Sequence, residues 1–102
     1  MVRHVILWQL KEEISAEAAV EIKRGIKEGL EGLKDVLEGV VSIQVQTDCL
    51  SSSNADVMLD SVFENEEALK HYAVSEEHLK VANERVRPFT KTRVCMDYEF
   101  RQ

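Results

Sequence analysis

Apolar residues at helical spacing in the first third of the chain constrain its fold most. They are Ala19, Ile22, Ile26, Leu30, Leu33 and Leu37, at intervals of 3, 4, 4, 3 and 4 residues. An apolar stripe of this period predicts an amphipathic helix of about five turns that must bury one face. Ser15 can cap its start, and Gly39 can end it in a left-handed conformation. The stripe therefore requires an apolar layer for this helix to pack against.

Segments of alternating polarity surround the helix and predict such a layer. They span residues 2–10, 40–50, 55–64 and 92–100. A second helical region follows the third segment, where Asn65 can cap it, residues 73–75 interrupt it and Pro88 ends it. The resulting order, β-α-β-β-α-β, predicts an α+β, ferredoxin-like fold with a four-stranded antiparallel sheet. Residues 1–102 fit a single domain.

The first strand is largely apolar on both faces, which predicts a partner. His4, Ile6 and Trp8 alternate with Val5 and Leu7. Helices of the same chain can cover only one face of the sheet, and a domain this small gains from burying more surface. We therefore expect a homodimer joined through the helix-free face, whose apolar residues are Val5, Leu7, Met58 and Val62.

Charge limits the other partners. The formal net charge is −6, which argues against nucleic acid and against an anionic membrane as binding partners. No apolar run approaches the length of a membrane span. The densest group of basic residues consists of Arg85, Arg87, Lys91 and Arg93.

The cysteines and histidines give no metal or redox motif. Cys49 and Cys95 do not form a CxxC pair, and without a secretion signal we expect a cytoplasmic chain with two free, buried thiols. His71 and His78 are seven residues apart across the helix interruption, which is a poor zinc spacing. We expect no metal and no cofactor.

Three glycines lie within the predicted first helix, at positions 25, 29 and 32. Each costs about 1 kcal/mol relative to alanine inside a helix. Close approach of a neighbouring element, or room for a ligand, would explain them. The alternative is a weak helix that tolerates them.

Tyr72 and His78 form the candidate site that the residues themselves indicate. They stand on either side of the interruption, and Ser75 can cap the second piece, which places His78 in its first turn. The positive end of a helix disfavours imidazolium, so a neutral imidazole beside a phenol would form a proton-transfer pair. The competing interpretation is that Tyr72 packs in the core and that His78 faces water.

The order of several features resembles the stress-responsive A/B barrel family, called Dabb. These features are His4 in the first strand, Phe63 before a capped helix, Tyr72, His78 and Asp97. The resemblance covers nearly the whole chain and implies a homodimer in which two ferredoxin-like sheets form a barrel.

The resemblance also implies site residues. In a plant polyketide cyclase of this family, which acts by aldol chemistry, the catalytic tyrosine and histidine match Tyr72 and His78, and a first-strand histidine matches His4. Its pocket lies between the helices and the sheet. By that analogy a ligand here would contact Ile6, Trp8, Ile22, Ile26 and Leu59.

Two departures from the family pattern bear on this analogy. Many relatives carry a proline before the matched histidine, where this chain has Glu76 and Glu77 after Ser75. Two acids beside His78 would favour its charged form. Trp8 is bulky enough to fill the pocket.

Four functions are compatible with these observations. The first is a non-catalytic protein that binds an apolar or carbonyl-containing small molecule. The alternative is a cofactor-independent cyclase or lyase in which His78 removes a proton next to a carbonyl, Tyr72 donates a hydrogen bond and His4 positions the substrate. A structural dimer with a filled core is the third. A monooxygenase, as in other dimeric α+β barrels, has no supporting feature.

Overall fold

The computed structural model describes residues 1–101, and its elements follow the predicted order. They are β1 (Val2–Leu10), α1 (Ala16–Glu31), β2 (Val40–Gln46), β3 (Val57–Phe63), α2 (Glu66–Val74), α3 (Glu76–Val81) and β4 (Thr90–Glu99). The strands form one antiparallel sheet in the order β2-β3-β1-β4. The predicted ferredoxin-like α+β fold is confirmed. Within residues 1–101, none of the helices combines the length and the apolar composition needed to cross a membrane.

The core lies between one face of the sheet and the helices. Alternation in β1 directs Ile6 and Trp8 to this inner face, where each is no more than 5% exposed. The cross-strand partner of Ile6 in β3 is Leu59, which is also buried. Ile26 and Leu30 of α1 pack onto the same cluster. Full burial of one such side chain stabilises the fold by about 1.5–3 kcal/mol.

The first helix is shorter than its apolar stripe predicts. It ends at Glu31, and Gly32 is its C-cap rather than an interior residue. The Glu31 carboxylate accepts hydrogen bonds from the backbone N–H of Val45 and from Lys27, both at 2.9 Å, which ties the helix end to β2. Because the chain must reverse here to pair β2 with β3, Leu33 reaches the core from a turn.

Gly39 does not cap this helix, although its conformation is left-handed as predicted. Its φ is +81°, and it lies in the turn that enters β2. A Cβ atom at this position would lie 2.5 Å from the Cβ of Ala68. Conformation and space therefore both favour glycine.

Ser75 separates α2 from α3 as predicted. Its hydroxyl donates to the carbonyl oxygen of Tyr72 at 2.8 Å and accepts from the backbone N–H of His78 at 3.2 Å. One side chain thus ends one helix and caps the next. A π-helical segment at Ala82–Val86 follows α3. A 3₁₀ turn at Arg87–Phe89 then continues past Pro88, the predicted stop.

Close packing against a neighbouring helical segment explains only one of the three glycines, Gly29. A Cβ atom at Gly29 would lie 2.8 Å from Cγ1 of Val81 and 2.9 Å from Cδ of Arg85. Nothing lies within 4 Å of the corresponding position at Gly25. The Arg85 guanidinium crosses α1 at this point and donates to the carbonyl oxygen of Gly25 at 3.0 Å. The second helical region therefore rests directly on α1 at Gly29.

The outer face of the sheet carries exposed apolar side chains. Register places Val94 opposite Leu7 and Met96 opposite Val5. Val94, Met96 and Leu7 are 63%, 65% and 38% exposed. Edge strand β4 therefore adds exposed apolar side chains to the predicted helix-free face. Val62, which was predicted to lie on this face, is already buried within the single chain.

Candidate functional site

A cavity of about 540 Å³ lies between the inner face of the sheet and the helical segments. Small-molecule sites commonly have volumes of about 300–1,000 Å³. His4, Tyr72 and His78 all line it. The two histidines come from opposite layers, β1 and α3, while Tyr72 comes from α2. The fold thus brings His4 to the same cavity as Tyr72 and His78, which come much later in the sequence.

The apolar lining differs in part from the expectation. Ile6, Trp8 and Leu59 line the cavity, and Trp8 does so without filling it. Ile22 and Ile26 are not among the lining residues, and α1 contributes Leu30 instead. Ile26 lies on the apolar face of α1 and is completely buried in the core, with 0% of its surface exposed. The cavity lies nearer the C-terminal end of the helix than the family analogy implies.

The hydroxyl group of Tyr72 is buried without a hydrogen-bond partner in residues 1–101. The side chain is 1% exposed, and its ring contacts Phe63 and His78 at centroid distances of 4.9 and 4.4 Å. Burial raises the pKa of Tyr72 far above its usual value, so the phenol stays protonated. Leaving a buried donor unpaired costs about 1–3 kcal/mol. Tyr72 therefore brings a donor without an acceptor to the lining of the cavity.

The hydrogen bonding of His78 defines which ring nitrogen is basic. Nδ1 lies 3.2 Å from the carbonyl oxygen of Ala73, which can only accept, so Nδ1 carries the proton in the neutral ring. The lone pair is therefore on Nε2. Burial lowers the pKa of His78, and the Ala73 carbonyl opposes this. The electrostatic effects of Arg87, His4 and Arg93 lower it further. A neutral imidazole with one acceptor nitrogen results at neutral pH.

His4 is held by a residue of the edge strand. Register places Asp97 opposite His4, and the Asp97 carboxylate is hydrogen-bonded to Nδ1 of the buried imidazole. Because an ionised carboxylate only accepts, Nδ1 is the donor in this hydrogen bond. The pairing fixes the ring and its tautomer at the cavity wall.

Cys95 completes a group of three potential metal ligands in residues 1–101. Its Sγ lies 3.8 Å from Nδ1 of His4 and 3.6 Å from Oδ1 of Asp97. Partial desolvation and the negative charge of Asp97 raise the pKa of the Cys95 thiol, so the ligating thiolate is disfavoured. The hydrogen bond of Asp97 also occupies Nδ1 of His4. Sequence spacing missed this group because only the register of β1 with β4 assembles it.

Both cysteines are exposed, contrary to the prediction that they are buried. Cys95 lies on edge strand β4, which no helix covers, and Cys49 follows the end of β2. His71, in contrast, is exposed as expected.

Known proteins share this architecture. A dimeric protein of unknown function from Bacteroides fragilis has a TM-score of 0.91 at 26% identity, over 97% of this chain and 95% of that chain. A Dabb family protein from Mesorhizobium loti has a TM-score of 0.76 at 18% identity, over 99% and 97% of the two chains. A hydroxynitrile lyase from Passiflora edulis has a TM-score of 0.74 at 17% identity, over 99% and 94%. At these identities the last two show the fold alone.

No curated protein matches the sequence significantly. The family model described as the stress responsive A/B barrel domain matches residues 2–100. This match spans nearly the whole chain and includes the strands and the helices that form the cavity. It agrees with the resemblance found in the sequence. The chain therefore belongs to the stress-responsive A/B barrel, or Dabb, family.

Proposed function

We propose that this Dabb protein binds a small apolar molecule that carries a carbonyl group, in the cavity between the helices and the sheet. The observation that carries the proposal is the buried, unpartnered hydroxyl of Tyr72 at the cavity wall. A buried polar group normally has a partner, and a protonated phenol needs an acceptor. A carbonyl oxygen is such an acceptor.

The rest of the lining supports an apolar ligand body. Ile6, Leu30 and Leu59 provide aliphatic surface, and Trp8 provides an aromatic one. Apolar walls with a few placed polar groups are typical of small-molecule sites. The hydrogen bond to Tyr72 orients the ligand, and contact with these side chains supplies most of the affinity.

Thermal unfolding with two matched probes tests this function. Acetophenone and ethylbenzene have nearly the same shape, but only acetophenone has a carbonyl oxygen. Binding to the folded state raises the apparent melting temperature, so acetophenone should raise it more than ethylbenzene does. The difference should disappear in Tyr72→Phe, which keeps the ring. Equal shifts for both probes in the native chain, or no shift with either, would contradict the proposal.

We also propose that the chain forms a homodimer through the outer face of the sheet. Leu7, Val94 and Met96 are exposed there in a single chain. Obligate interfaces are apolar and resemble a domain core cut in half. The Bacteroides fragilis neighbour is described as dimeric. The barrel arrangement of the family would cover these side chains with the same face of a second copy.

Catalysis is a second candidate function, and the state of His78 favours it. A neutral imidazole with its lone pair on Nε2 can accept a proton from the carbon next to the carbonyl. The electron pair of that C–H bond then forms an enolate, whose oxygen accepts from Tyr72. The proton then returns from His78 to that carbon. Alternatively, the enolate carbon attacks a second carbonyl group, whose oxygen becomes an alkoxide and takes the proton from His78. His4, held by Asp97, would position the substrate from the facing strand.

Hydrogen exchange in D₂O separates binding from catalysis. If His78 is a base, the protein should accelerate the replacement of the acetophenone methyl hydrogens by deuterium, which mass spectrometry follows. His78→Gln should remove the acceleration, whereas His71→Gln, at an exposed position outside the cavity, should retain it. Binding without acceleration would leave the chain as a binding protein.

A further inference from the structure

The charged residues that line the cavity are basic, although the chain as a whole is acidic. Arg87, Lys91 and Arg93 line the cavity, and no aspartate or glutamate of residues 1–101 does. The chain as a whole has 19 acidic and 13 basic residues, with a net charge of −6. A chain that is acidic overall therefore contributes basic side chains, and no acidic one of the described residues, to the lining of this cavity. These three residues belong to the basic group noted in the sequence.

The three basic side chains differ in whether a carboxylate neutralises their charge. Lys91 pairs with Glu12 at 2.9 Å, although the Glu12 side chain is 85% exposed. Arg87 donates to the neutral amide oxygen of Asn83 at 2.5 Å. Arg93 has no carboxylate oxygen within 4.0 Å in the part of the chain that the structure describes. Two guanidinium groups thus lack a carboxylate partner beside the same cavity.

Their positions place them at the mouth rather than in the interior. Both arginines are exposed, and Arg93 pairs with Trp8 in the β1–β4 register, so the two side chains share the inner face. Arg87 begins the 3₁₀ turn that leads into β4, and it lines the same cavity. The aromatic and aliphatic lining lies deeper. Apolar walls concentrate the field of charged groups at an opening of this kind.

The charge reaches the interior of the site. The pKa of His78 is lowered first by burial, and Arg87, His4 and Arg93 lower it further. An anion bound between the two arginines would offset their effect on the imidazole. Occupation of the mouth would therefore be measurable at His78.

We propose that the ligand carries an oxyanion, a carboxylate or a phosphate ester, that binds Arg87 and Arg93 at the mouth while its apolar body lies against Trp8. A guanidinium group presents paired N–H donors that match either oxyanion. This inference rests on the proposed function, because it adds an anionic end to the carbonyl compound that Tyr72 orients. The substrate class is then an apolar oxo acid or its phosphate analogue.

Calorimetric titration with three probes tests the inference. Acetophenone, 4-acetylbenzoate and 4-acetylphenyl phosphate share one frame and differ in the anionic group. Hydrogen bonds to charged groups contribute about 1.5–3 kcal/mol, so at least one anionic probe should bind about tenfold or more tightly than acetophenone. The preference should weaken as salt is added. The stronger of the two anionic probes identifies the carboxylate or the phosphate as the natural group.

Variants connect the preference to the arginines. In the double variant Arg87→Gln, Arg93→Gln the affinity ratio of anionic to neutral probe should fall to about one. Arg24→Gln is the matched control, since Arg24 is exposed on α1, pairs with Glu21 and lies outside the cavity. NMR titration supplies an independent readout, because the bound anionic probe should raise the pKa of His78.

The outcomes separate this inference from the function on which it rests. Binding of acetophenone without any preference for the anionic probes would overturn the oxyanion and leave the carbonyl site intact. A preference that persists in the double variant would also overturn it. Failure of all three probes to bind would contradict both proposals.

Discussion

The rings of Tyr72 and His78 are in contact, with centroids 4.4 Å apart, yet the Tyr72 hydroxyl donates no hydrogen bond to the imidazole. His78 instead uses its Nδ1 proton on the carbonyl oxygen of Ala73. The two side chains therefore do not satisfy each other. Both residues line the cavity, and their remaining donor and acceptor are the groups that the proposed binding of a carbonyl compound would use.

Removing the Tyr72 hydroxyl should make the ligand-free protein more stable. An unpaired buried hydroxyl destabilises the fold, so Tyr72→Phe should raise the free energy of unfolding by about 1 kcal/mol. Urea unfolding measures this, and Phe63→Leu, at a buried neighbour whose ring touches Tyr72, should lower it. A less stable Tyr72→Phe variant would indicate that the hydroxyl has a partner within the folded chain.

The lowered pKa of His78 predicts a specific dependence of stability on pH. Between the depressed folded pKa and the unfolded value of about 6.5, the unfolded chain binds more protons. Stability from this residue is thus fully present above about pH 6.5 and is lost as pH falls through the folded pKa. The difference in unfolding free energy between the native chain and His78→Gln should shrink over this range. No change in the difference, with His71→Gln as control, would contradict a neutral His78.

Two alanine substitutions on the same helix should have opposite effects. Gly25→Ala meets open space and should stabilise by about 0.4–1 kcal/mol, since alanine restricts the unfolded chain. Gly29→Ala would meet Val81 and Arg85 and should destabilise by about 1–3 kcal/mol through overpacking. Urea unfolding of the pair decides between a packed and a merely weak helix. If both variants are stabilised, α1 does not rest on the second helical region at Gly29.

A charge on the outer sheet face should disrupt the dimer. Leu7→Glu places a carboxylate among Val94 and Met96, where a second copy would desolvate it, so the dissociation constant should rise by more than about tenfold. Val20→Glu is the control, because Val20 is exposed on α1 away from this face. Equilibrium sedimentation at micromolar protein measures the effect. A monomeric native chain would refute the dimer.

The parts of the fold that follow from periodicity were predictable. The alternation of β1, the caps at Ser15, Asn65 and Ser75, and the order of the elements all depend on local chemistry. The end of α1 was not predictable from its stripe. Leu33 and Leu37 continue the helical spacing from a turn, because the reversal into β2 is a tertiary requirement.

The candidate site was predictable only where residues close together in sequence indicate proton-transfer chemistry. The capped interruption pointed to Tyr72 and His78, but their ring contact required coordinates. The pairing of His4 with Asp97 depends on strand register over a separation of 93 residues, which no local pattern encodes. The charge of the cavity mouth depends on which basic side chains face inward. For Arg93 that choice follows from the pairing of β4 with β1.

The most direct test of the central claim is a thermodynamic cycle between the Tyr72 hydroxyl and the ligand carbonyl. Isothermal titration gives dissociation constants of acetophenone and ethylbenzene for the native chain and for Tyr72→Phe. A net hydrogen bond between the two groups contributes about 0.5–1.5 kcal/mol, so the preference for acetophenone should be about two- to tenfold larger in the native chain than in the variant. An identical preference in both proteins would show that Tyr72 does not hold a ligand carbonyl.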